Sequence, residues 1–152
     1  MKSNHWAQQF LDVAIAAGAP AVPTNYANGW LESALIKGKT CFLKSMTFNP
    51  AKGLYFVGVD PSKLTQTGHA VVLCGGGRRE LRDIFVIPWS TFFSLLGKGA
   101  PINTYAHRTY LQYKAHMVDH RNAWELRVQG GTRPVAPATA WRFDPRSAVA
   151  AI

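Results

Sequence analysis

The stretch Ala70-Val-Val-Leu-Cys74 is apolar at every position and runs directly into Gly75-Gly76-Gly77. It is short for a helix and lacks the alternation of a strand with one face in water. A run of this kind is a strand covered on both faces, so the remaining chain has to supply two covering layers. The length of 152 residues suits one domain and suffices to bury roughly two thirds of the unfolded surface. With 47% hydrophobic and 16% charged residues the composition is globular. No repeat, low-complexity tract or sharp boundary divides it, so 1–152 reads as a single domain.

The flanking segments follow from their periodicity. Ser3 to Ala17 has helical spacing at Trp6, Phe10, Leu11, Val13 and Ala14, with Ser3 as N-cap and Gly18 as stop. Ala19 to Gly29, with two prolines and two asparagines, reads as a connecting loop, and Trp30 to Ile36 has no clear type. Thr40 to Phe48 and Leu54 to Val59 read as two strands of one hairpin around Asn49-Pro50-Ala51-Lys52-Gly53. Ser62 to Gly68 holds a helical turn, Gly75 to Glu80 is a flexible basic turn, and Leu81 to Trp89 is a strand ended by Pro88. Ser90 caps a helix to Leu96, Gly97 to Thr109 is loop, Tyr110 to His120 is ambiguous, and Ala123 to Gln129 is a strand. Residues 132–152, with Pro134, Pro137 and Pro145, read as an extended tail packed over the body. The expected fold is α/β (α+β): a mixed central sheet of about five strands between the first helix and the Ser90 helix.

Charge narrows the partners. Lys and Arg total 17 against 8 Asp and Glu, a net +9, which favours a polyanion. Up to Gly77 there are 6 basic and 3 acidic residues and beyond it 11 and 5, so the later half is the expected binding half. Its donors are Arg78, Arg79, Arg82, His107, Arg108, Lys114, Arg121, Arg127 and Arg133, with Tyr105, Tyr110 and Tyr113 interleaved. No apolar run approaches the ~20 residues of a spanning helix, so no membrane partner is expected. Gln8, Gln9 and Asp12 break up any signal-peptide core. Cys41 and Cys74 stand alone in apolar runs and read as buried thiols, which points to a cytoplasmic location.

Several chemistries find little support. The triple glycine is followed by a strand, whereas phosphate-cradling glycine loops open into a helix. His116 and His120 have the spacing of zinc ligands on a helix but no glutamate follows His116. No Gly-x-Ser-x-Gly elbow occurs.

The most informative segment runs from Gly38 to Trp89. A glycine turn leads into Lys39-Thr-Cys-Phe-Leu-Lys44-Ser45, then Leu54-Tyr-Phe-Val-Gly-Val59, Asp60-Pro-Ser-Lys-Leu64, the apolar strand, and Asp83-Ile-Phe-Val-Ile-Pro88-Trp89. This order resembles the core of the PD-(D/E)xK, or restriction-endonuclease-like, nuclease family. There a strand ending in Lys-Ser or Lys-Thr is followed by a hairpin partner, an apolar strand and an (F/Y)xIP strand that enters a helix. The resemblance implies a DNA endonuclease using Mg²⁺, with Lys44 as catalytic lysine, Glu32 as catalytic acid and metal ligand, and Asp12 as a further ligand. Lys39 and Ser45 on the same strand join the arginines as expected DNA contacts.

The sequence departs from the family pattern at Phe42, two positions before Lys44, where a metal-binding acid belongs. That departure supports an alternative, an inactive DNA-binding module on the same fold. A third reading is a protein-interaction subunit using Trp141 and Phe143. Whether the protein forms a homodimer, as double-strand cutters commonly do, stays open.

Overall fold

The computed structural model describes residues 5–77, 79–99, 102–103, 111–128 and 131–152. Helix α1 (Trp6–Ala16) precedes β1 (Ala21–Ala27), β2 (Trp30–Ile36), β3 (Lys39–Ser45), β4 (Thr47–Asn49) and β5 (Leu54–Val59). A 3₁₀ turn at Pro61–Thr65 leads to β6 (Ala70–Gly77), β7 (Glu80–Pro88) and α2 (Trp89–Leu96). Then come β8 (Ile102–Asn103), β9 (Leu111–His120), β10 (Ala123–Val128), β11 (Arg133–Pro137), a 3₁₀ turn at Thr139–Trp141, β12 (Arg142–Phe143) and α3 (Pro145–Ala151).

The architecture is mixed α+β, and it has two sheets where the sequence suggested one of about five strands. The larger runs β1-β2-β3-β6-β7-β12 and the smaller β11-β10-β9-β5-β4, with β8 paired to β9. Only β3 and β6 are parallel among the described pairings. As the apolar run predicts, β6 is central and buried from Ala70 to Gly76. On one face, Cys41, Leu43, Val72, Cys74 and Ile84 pack against Phe10, Leu11 and Ala14 of α1 and Ala148 and Val149 of α3. On the other, Phe42, Val71, Leu73, Phe85 and Ile87 meet Tyr55, Val57, Ala115, Met117 and Leu126 of the smaller sheet and Phe92 and Leu96 of α2.

Departures from the sequence reading have physical causes. Residues 21–27 form an edge strand instead of a loop, because an edge tolerates Pro23 and leaves most of the strand exposed, without an apolar signal. Asn28 and Gly29 close the β1–β2 hairpin with φ of 52° and 81°, the mirror-type turn that tight hairpins favour. The expected hairpin of 40–48 with 54–59 does not form as one unit. Its first strand breaks at buried Met46, whose N–H bonds the Cys74 carbonyl at 2.7 Å, and the chain passes to the other sheet, where β4 pairs with β5.

Gly75-Gly76-Gly77 belongs to β6 and is no flexible tip. A Cβ on Gly75 would press on Tyr55 and Met46, and one on Gly76 would run into the Glu80 carbonyl and Trp6. Helix α2 starts one residue before Ser90, after Pro88, and has no side-chain cap. Ser3 and most of the 97–109 loop lie outside the described residues.

The C-terminal segment docks through a buried carboxylate. Asp83 on β7 is 4% exposed; it accepts from Tyr55 Oη at 2.7 Å and from Arg142 Nη2 and Nε at 2.7 and 3.0 Å. Both arginine donors converge on Oδ1, while Tyr55 takes Oδ2, and this charge-assisted contact ties β12 to β7. Arg142→Ala leaves Asp83 with Tyr55 and the more distant Arg82, and should lower the unfolding free energy by roughly 1–3 kcal/mol. The shift of the urea midpoint at unchanged m-value measures it.

Candidate functional site

A groove of about 810 Å³ opens where the β1–β2 turn and the start of β2, the end of β3, β5 and the turn after β5 converge, lined among others by Trp30, Glu32, Phe42, Lys44, Asp60 and Lys63. It holds both members of the expected Glu32–Lys44 pair.

Glu32 arrives there through a break in register. Asn25 pairs with Ser33 and Tyr26 with Leu31, so Glu32 is the extra residue of a β-bulge in β2. Strict alternation would put Glu32 beside Ala34 and Ile36 on the helix-covered face. The bulge instead gives that face to Leu31 and turns Glu32 into the groove. Glu32 is 8% exposed, and both its oxygens are engaged: Lys63 Nζ lies 2.6 Å from Oε1, and Asn25 Nδ2 donates to Oε2 at 3.0 Å.

Lys44 is half-buried on β3. Burial pushes its ammonium below the ordinary lysine range, Glu32 pulls it back up and Lys63 repels it. Among the described residues its ammonium makes no ion pair with a carboxylate. Asp60 accepts the Ser62 N–H at 2.9 Å, capping the 3₁₀ turn that carries Lys63. This hydrogen bond holds its carboxyl below the usual range, and Lys63 and Lys44 add to the effect.

Phe42 is 2% exposed and packs edge-on against Trp89 and Phe93, both with centroids 5.9 Å away. An acid there would sit in the core, which explains why the strand carries none. Sequence reasoning missed Asp60, Lys63 and Asn25. Asp60-Pro61-Ser62-Lys63 just past the end of a strand is a legible turn signature, but nothing local shows that the turn folds back beside β2.

The other predicted contacts scatter. Ser45 lines the groove, yet its Oγ accepts the Ala7 N–H at 2.9 Å and so caps α1, whose N-cap residue His5 has no side-chain bond. Lys39, at the far end of β3, donates to the Ile152 carbonyl at 2.7 Å. Asp12 lies exposed on α1, bonded to Gln8, and does not line the groove. Lys114 flanks it, 5.3 Å from the ring of Phe56, which does. Arg79 stands by the β6–β7 turn with φ of 95°, Arg82 contacts Asp83, and Arg121 sits in the β9–β10 turn. Arg78, His107 and Arg108, with Tyr105 and Tyr110, lie outside the described residues.

Two further groups were singled out by sequence. Cys41 and Cys74 are buried free thiols, and burial pushes Cys41 up to about 11, so neither is an activated nucleophile. His116 is buried and His120 exposed on β9. Among the described residues no three His, Cys, Asp or Glu side chains converge as a metal site. The groove's donors do not match the shell of oxygen ligands that a resident Mg²⁺ needs, because Glu32 is already paired with an ammonium and an amide.

Comparison with known proteins found no match, whether to a family model, a curated protein or a solved structure.

His116 gives a test of the electrostatics near the groove. Its Nδ1 is buried without a partner among the described residues, and burial, with Lys114 and Lys52 nearby, pushes its pKa down to about 4. The unfolded chain therefore binds this proton first. Its contribution to stability is complete above pH 6.5 and is lost as pH falls toward 4, by up to about 3 kcal/mol. Melting temperature followed from pH 7 to 4 should fall more steeply in the wild type than in His116→Gln.

Proposed function

We propose that this chain is a DNA-binding protein on a restriction-endonuclease-like scaffold, and that it holds the DNA backbone at the groove bearing Lys44. The observation that carries this reading is a half-buried ammonium, without a carboxylate partner among the described residues, lining a groove in a chain of net +9. A phosphate oxygen is the partner such a group lacks. Lys114 on the groove's flank adds a second donor, and Trp30, stacked on His5 at 3.9 Å, adds an aromatic wall.

Element order supports the scaffold. The lysine strand β3 is followed by the β4–β5 hairpin, then by parallel β6, then by β7, which ends in Phe85-Val-Ile-Pro88 and enters α2. This order of elements agrees with the resemblance except at the hairpin, where β5 pairs with β4 and β9 in the smaller sheet instead of with the lysine strand.

A second reading, the Mg²⁺-dependent endonuclease, is favoured by the bulge that turns Glu32 onto the same groove as Lys44. It requires Lys63 to leave Glu32.

Duplex binding measured by fluorescence anisotropy tests the first reading. If about six phosphates are neutralised, log affinity should fall against log salt with a slope near −5. Lys44→Ala should weaken binding by roughly tenfold, as for loss of one charge-assisted contact. A slope near zero overturns it. Nicking of supercoiled plasmid with Mg²⁺ or Mn²⁺, absent in chelator and in Lys44→Ala, would establish the endonuclease instead.

A further inference from the structure

The groove pairs its deepest carboxylate with a lysine on a neighbouring turn. Glu32 and Lys63 have side chains only 11% and 19% exposed, so the pair is shielded from salt, and 2.6 Å is a short charge-assisted contact. Lys63 is not held there by chance of rotamer. Asp60 caps the turn through the Ser62 N–H, Pro61 fixes its first residue, and Leu64, next to Lys63, packs against the core between the sheets. Asn25 takes the second Glu32 oxygen.

A bare carboxylate at this place would repel a phosphodiester, and a divalent ion is one means of cancelling that repulsion. We propose that Lys63 is the groove's built-in cation: it neutralises Glu32, leaves Lys44 free to meet a DNA phosphate, and makes binding independent of divalent metal. Glu32 is then a positioning residue for Lys63 and not a metal ligand. This inference rests on the DNA-binding reading and adds to it the mechanism of charge compensation.

The test uses the full chain and a fluorescent duplex at low salt, in chelator and in Mg²⁺ at matched ionic strength. Equal wild-type affinity in the two buffers is expected, and a tenfold or greater gain with Mg²⁺ overturns the inference while leaving DNA binding intact. Lys63→Met should weaken binding in chelator by roughly tenfold. Adding Glu32→Gln to Lys63→Met should restore most of the loss, because the uncompensated charge is gone; a purely structural role for Lys63 predicts no such rescue. A double variant as weak as the single one, with both melting like wild type, overturns the proposal.

Mn²⁺ titration followed by electron paramagnetic resonance supplies a readout free of DNA. No binding by the wild type is expected, and micromolar binding abolished by Glu32→Gln overturns the inference. If no DNA binds in either buffer, the parent reading fails with its phosphodiester, while the Mn²⁺ arm still decides whether Lys63 excludes the metal. A mononucleotide that competes as well as duplex, phosphate for phosphate, identifies a small-molecule site and overturns the DNA assignment.

Discussion

Everything else in the structure follows from burying β6 on both faces. Its seven consecutive buried residues can be dry only if one layer covers each side, and the chain meets this with α1 and α3 on one side and a second sheet on the other. The neighbour β3 inherits the same two environments. Its side chains alternate between them, so Cys41 and Leu43 go to the helices and Phe42 goes to the second sheet. Toward β2 the second sheet no longer closes over the larger one, although on either side of Lys44 both Phe42 and Met46 stay buried in the inter-sheet core. There Lys44 emerges into the groove, and Ser45, one residue on, caps α1. The groove is thus the place where the inter-sheet core ends.

Placing a carboxylate in that opening needed a departure from regular pairing. A strand interior of pure period two offers each face a fixed set of residues, and Glu32 falls on the wrong one. The bulge opposite Asn25 and Tyr26 corrects this locally, so that Ala34 and Ile36 remain in the helix-covered core while Glu32 enters the groove. A buried carboxylate without a counter-charge is costly, and Lys63 and Asn25 together satisfy it. Lys44 has no such carboxylate partner among the described residues, and under the proposed reading that asymmetry between two nearby lysines would favour an incoming anion at Lys44 over Lys63.

Legibility from sequence followed the strength of local signals. The central strand, α1 and β7 ending at Pro88 were legible because burial pattern, helical spacing or strand order marks each of them, and the order of strands also brought Glu32 and Lys44 into one groove, though not into a pair. The edge strand β1 was not, since an exposed strand carrying Pro23 has the composition of a loop. The division of residues 40–48 between two sheets was not legible either. It depends on the Met46 N–H finding the Cys74 carbonyl, a contact between residues far apart in sequence. The triple glycine misled for a related reason: glycine serves flexibility and close packing alike, and only Tyr55, Trp6 and the Glu80 carbonyl show which applies. Asp60 and Lys63 were invisible as site residues because their relevance comes from where the turn folds back.

The distribution of charge also separates attraction from placement. Most of the basic excess lies after Gly77, yet Glu32, Lys44, Asp60 and Lys63 all precede it, and their two positive and two negative charges sum to zero. A groove with no net charge cannot by itself draw a polyanion from solution. The field of the whole chain, at +9, would do so over distances comparable to the Debye length, and without selecting a site. Selection is then a short-range matter, decided by which cation lacks an anion. On the proposed DNA-binding reading, the paired and unpaired lysines of the groove would perform that second step, while the arginines of the later half would supply the first.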